Sequence, residues 1–169
     1  METGPAVDYK QAASSPYVWL NPLPRQHIRA VKGMHHFHAP GEDPHDSWHD
    51  PIVSIDEVTY GDLDSDGIEE AAVRLNYSTG GTYNWDFLYI YKYNSGHAQL
   101  LAVLGSGSRG DGGLGRVVIS DGILALDFND PDRRKGDCCS GGYVRVRFRW
   151  QNDHFVEEGR RERGDWPPD

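Results

Sequence analysis

Apolar residues recur at every second position through most of this chain, the period of strands with one buried face. Ala71, Val73, Leu75 and Tyr77 alternate with Ala72, Arg74 and Asn76. Val144, Val146, Phe148 and Trp150 alternate with Arg145, Arg147 and Arg149. Asp86 to Tyr93 is apolar on both faces, with Phe87, Tyr89 and Tyr91 opposite Leu88 and Ile90, which predicts an interior strand. Further strands are predicted from Ile52 to Thr59, Ala98 to Leu104, Arg116 to Ser120, Ile123 to Phe128 and His154 to Val156. Asn94-Ser95-Gly96, Asp121-Gly122 and Gln151-Asn152-Asp153 separate neighbouring runs and predict hairpins. The pattern predicts an all-β fold, an antiparallel sandwich or barrel of about seven to eight strands.

Residues 1–50 break this pattern. They hold six prolines and no sustained period, and Tyr17, Val18, Trp19 and Leu20 form an apolar island between Pro16 and Pro22. The expected organisation is an N-terminal extension or arm over 1–50, a β domain over 51–159 and a C-terminal tail over 160–169. The island is too apolar to stay in water, and its prolines keep it out of a central strand. Two roles are open to it: covering the chain's own core, or adding to a sheet edge of the next copy, which would propagate a homopolymer.

Charge adds a second layer. The formal net charge of the 169 residues is −9. Residues 42–70 carry eleven acids and no Lys or Arg, whereas the remainder carries fifteen acids against seventeen bases. This distribution excludes the basic footprint that nucleic acid requires. No apolar run reaches transmembrane length. Met1-Glu-Thr-Gly-Pro lacks the basic and apolar segments of a signal peptide, and a secreted mature form stays compatible with that.

The acidic block centres on Asp62-Leu-Asp64-Ser-Asp66-Gly67-Ile68-Glu69-Glu70. Alternate carboxylates in a tight loop converge on one point, Gly67 allows the sharp turn, and the Ile68 carbonyl adds an oxygen. An EF-hand would place its bidentate acid at loop position twelve, which here is Val73. The run instead resembles the D-x-D-x-D-G-x-x-[DE] loops of integrin-type and FG-GAP/VCBS-like extracellular β domains. That resemblance implies Ca²⁺ held by Asp62, Asp64, Asp66, Ile68 and Glu70, in an extracellular or cell-surface setting. The bland reading of the same nine residues is a solvated acidic turn.

Cys138 and Cys139 are adjacent, which leaves a vicinal disulfide, a metal site, an interchain bridge or two thiols. The vicinal disulfide is the expectation, and it implies an oxidising compartment. Gly136-Asp-Cys-Cys-Ser-Gly-Gly-Tyr is similar to a late Cys-Cys turn of small secreted bacterial proteins, although Pro is absent after Cys139. His35, His36, His38, His45 and His49, with Asp43, Asp46 and Asp50, compose a possible second metal site without helical spacing. Asp127, Asn129, Asp130 and Asp132 are a further oxygen-rich group, expected to be an acidic hairpin end. Gly105-Ser-Gly107-Ser-Arg-Gly110 precedes a strand, so no dinucleotide site is expected. Arg109-Gly110-Asp111 is a chance tripeptide on this reading. Asn76-Tyr-Ser78 is a glycosylation sequon inside a strand.

No catalytic set emerges. The leading functional expectation is a non-catalytic extracellular calcium-binding β module with a structural or assembly role. A glycan- or ligand-binding module using Tyr83, Trp85 and Trp48 is the first alternative, and a metal-dependent hydrolase using the histidines is the second.

Overall fold

The computed structural model describes residues 32–36, 51–78 and 84–167. They form an antiparallel β-sandwich. The first sheet has the order β1-β2-β3-β4-β5: β1 Met34–His36, β2 Ile52–Gly61, β3 Glu70–Ser78, β4 Asn84–Asn94 and β5 His97–Ser108. The second contains β6 Leu114–Ser120, β7 Ile123–Asn129, β8 Gly142–Gln151, β9 His154–Glu157 and β10 Glu162–Asp165. Its order is β10-β8-β7-β6, with β9 also paired to β8. Ten strands thus replace the seven or eight expected, and the additional ones are short. The stretch 160–169, read from sequence as a tail, contributes β10, and the stretch 1–50 contributes β1. Among the described residues, no helix is long and apolar enough to cross a membrane.

Turn chemistry links the strands as the sequence predicts. Ser95 and Gly96, Asp121 and Gly122, and Asn152 and Asp153 all have positive φ, between 49° and 88°. Two consecutive left-handed residues make the type I′ turn, whose twist matches that of the flanking strands. Loops this short fix register, so every side chain is committed to one face.

The inward faces meet in one core. Ala72, Leu88 and Ile90 of the first sheet pack against Val117, Leu124, Leu126, Phe128, Val144, Val146 and Phe148 of the second. The arginines of β8 point the other way and meet acids on neighbouring segments. Arg145 grips buried Asp127 with Nε and Nη2 at 2.6 and 2.8 Å. Arg147 pairs with Glu162 and Arg149 with Glu158. The strand β2 departs from simple alternation. Its register against β3 slips between Ile55 and Glu57, and Ile55 and Val58 are exposed.

Candidate metal centre

The acidic run joins β2 to β3 and sits at one end of the sandwich. Three features of the chain place it there. Leu63 is buried in the core cluster and anchors the loop from below. Glu70 opens β3 on the same inward row as Ala72, so its side chain is carried under the loop and is fully buried. Gly67 turns the chain at φ 86°, a left-handed conformation that suits glycine.

Backbone amides organise the carboxylates. Asp62 Oδ1 accepts from Asp66 N–H at 3.1 Å, and Asp62 Oδ2 accepts from Gly67 N–H at 3.0 Å. Asp64 Oδ1 accepts from Asp66 N–H at 3.3 Å, and Asp66 Oδ1 from Ile68 N–H at 2.8 Å. These bonds fold the loop so that Asp62, Asp64 and Glu70 each offer a carboxylate oxygen within 4.8 Å of the others. Asp66 stands outside that trio. Ile68 has an exposed side chain.

Glu70 decides what the arrangement can do. Its Oε2 accepts from Leu63 N–H at 2.8 Å, while Oε1 is buried with no hydrogen-bond partner. Burial pushes its pKa up, and the Leu63 amide opposes that shift. A buried, unpartnered carboxylate oxygen is costly unless a cation meets it. All donors here are hard oxygens, the type that Ca²⁺ or Mg²⁺ takes.

Sequence reasoning missed Lys92. It lies on β4 in the inward row of Leu88 and Ile90, one residue beyond the last β3–β4 pair, Ala71 with Tyr91. Where the core ends, this row meets the acidic loop. Lys92 Nζ donates to Asp64 Oδ2 and, at 2.6 Å, to Asp66 Oδ2. These bonds raise the Lys92 pKa above the usual lysine range. The Lys92 bond, with help from Ile68 N–H, holds Asp66 below the usual carboxylate range. No local motif marks Lys92, which is 26 and 28 residues from its partners. Its one sequence signal is isolation: it is the sole Lys or Arg between Arg74 and Arg109.

The remaining candidates fall into place differently. Cys138 and Cys139 are joined as a vicinal disulfide. Their segment packs so closely on Gly110 that a Cβ there would lie 2.6 Å from the Cys139 carbonyl oxygen. Arg109 has φ 41°, and its carbonyl accepts from Gly113 N–H and Asn129 Nδ2, so the Arg-Gly-Asp backbone is engaged in its own loop. Asp127 meets Arg145, and Asp132 and Asp130 face Arg163, so cations of the chain answer that group. Asn76 faces inward and donates to Asp86 Oδ1 at 3.2 Å, together with Arg74 Nε. His35 and His36 lie on β1, opposite Val53 and Ile52. His38, His45, His49, Trp48, Tyr83 and the Tyr17–Leu20 island lie outside the described residues. Trp85 is half-buried and stacks on Tyr77, with ring centroids 6.1 Å apart.

No family model, no curated protein and no solved structure matches this chain, so its own residues carry the reading of the site.

Proposed function

We propose that this protein is a non-catalytic, extracellular calcium-binding β module with a structural role. The observation that carries the reading is the buried Glu70 Oε1, unpartnered and grouped with Asp62 and Asp64 inside 4.8 Å. Ca²⁺ would be held by these three carboxylates, with Asp66 and the Ile68 carbonyl completing the set. The ion would tie the end of β2 to the start of β3 and neutralise a block of acids that otherwise repel one another. It supplies charge and rigidity to the end of the sandwich. The vicinal disulfide suits an oxidising compartment. Within this reading, the N-terminal arm joins copies of the chain into a fibre.

Isothermal titration with CaCl₂ tests the ion site. Expected is one site per chain with Kd of ~0.1–1 mM, the range of extracellular modules. Glu70→Gln should weaken it at least tenfold. Absence of heat in the wild type, or equal binding by Glu70→Gln, overturns the reading.

A further inference from the structure

We infer that Lys92 is an internal cation latch: its ammonium occupies the carboxylates of the loop until a divalent ion displaces it. The inference rests on the calcium reading and adds the element that sets the ion's threshold. The carboxylates of Asp62, Asp64 and Glu70 meet here, and Lys92 ties Asp66 to them through Asp64. Lys92 Nζ takes Asp64 Oδ2 and Asp66 Oδ2, leaving the buried Glu70 Oε1 unanswered. The latch is therefore incomplete. It stabilises the outer part of the loop and leaves the deep part for an ion.

Competition follows from charge and geometry. A divalent ion that recruits Asp64 and Asp66 needs the oxygens that Lys92 holds. Both cannot sit there, because an ammonium and Ca²⁺ at van der Waals contact repel one another. The Lys92 stem is a flexible four-carbon chain, and its side chain is already 20 % exposed. It can turn out to solvent without moving β4. Binding thus exchanges an internal monovalent cation for an external divalent one, and the observed affinity carries the cost of breaking two charge-assisted bonds. The latch also explains how an ion-free loop with four acids stays folded against the core.

Two measurements on the full chain test this. The first is calcium titration of wild type and Lys92→Met, whose side chain keeps the apolar stem and loses the charge. Lys92→Met should bind Ca²⁺ at least tenfold tighter, and the gain should persist in 0.5 M NaCl, where a distant charge is screened. The second is amine acylation of wild type with mass-spectrometric readout. The chain has four lysines, Lys10, Lys32, Lys92 and Lys135, so the site is easily resolved. Lys92 should react slowly in chelator and severalfold faster in 5 mM CaCl₂. An affinity unmoved in Lys92→Met, or a gain that vanishes in salt, overturns the latch while wild-type binding keeps the calcium reading. Lys92 labelling that calcium leaves unchanged overturns it independently of whether the variant folds. Failure of both wild type and Lys92→Met to bind removes the calcium reading and the latch together.

Discussion

Gly61 ends β2 immediately before Asp62, and its lack of a side chain lets the first sheet touch the second. A Cβ at this position would lie 2.2 Å from Ile119 Cγ2 and 2.8 Å from Ile119 Cβ. Carbon atoms pack at about 3.5–4.0 Å, so Gly61→Ala needs roughly 1 Å of separation or an off-rotamer Ile119. Overpacking of this size costs about 1–3 kcal/mol. The reduced freedom of the unfolded chain returns about 0.4–1 kcal/mol. The net expectation is a loss of about 1.3 kcal/mol, hence a Tm lower by about 3–5 °C for a chain of this size. Ile119→Ala alone removes a half-buried side chain and should cost about 1–2 kcal/mol, below the range of a fully buried isoleucine. In the double variant Cγ2 is gone, and the remaining conflict is the 2.8 Å approach to Cβ. The two changes should then be non-additive by about 1 kcal/mol in the stabilising direction. Urea titrations of the four proteins measure this. A Gly61→Ala cost under about 0.5 kcal/mol, the range of an unconstrained surface change, refutes the close approach. Strict additivity refutes Ile119 as its partner.

Other sites make separate claims. Arg145→Met should cost about 2–3 kcal/mol in urea melts, because Asp127 is 1 % exposed and would lose its two-bond partner, leaving Arg116 at 3.9 Å; a loss below about 1 kcal/mol would show that the pair is dispensable. Alkylation of the native protein without reductant should add no mass at Cys138 and Cys139, and two added groups per chain would exclude the vicinal bond. Deleting residues 1–24 should convert a polymer into monomer by light scattering, whereas a full-length protein that is already monomeric removes the fibre role.

How much of this was legible in the chain depends on the kind of force at each element. Strands β4, β7 and β8 bury apolar side chains that stand out in sequence, whereas β3 turns Ala72 to the core and leaves the more apolar row of Val73 and Leu75 half-buried on the other face, so its alternation marks a strand but not its inward side. The turns at Ser95-Gly96 and Asp121-Gly122 are visible because left-handed φ restricts the residues that fit. Strand β10 is invisible to that reasoning. Glu162-Arg-Gly-Asp165 has no apolar alternation, because its place beside β8 is secured by backbone pairing and by Arg147 on Glu162. The same holds for β1, three residues long at the edge. At the acidic loop, the spacing of Asp62, Asp64, Asp66 and Glu70 is local and announces itself. Convergence of Asp62, Asp64 and Glu70 follows from that spacing, yet Glu70's burial depends on its inward row in β3. Lys92 reaches the loop only through the β3–β4 register, a non-local fact that no window of sequence contains.

The most direct measurement of the calcium account is differential scanning calorimetry of the wild type in 10 mM CaCl₂ and in chelator, with Asp64→Ala as reference. A ligand bound only by the native state stabilises by RT ln(1 + [L]/Kd). At Kd of ~0.5 mM this is about 2 kcal/mol, or a Tm rise of about 4–8 °C. The account predicts that rise in the wild type and its near-complete loss in Asp64→Ala. An identical Tm in calcium and chelator, or an equal rise in Asp64→Ala, would contradict it.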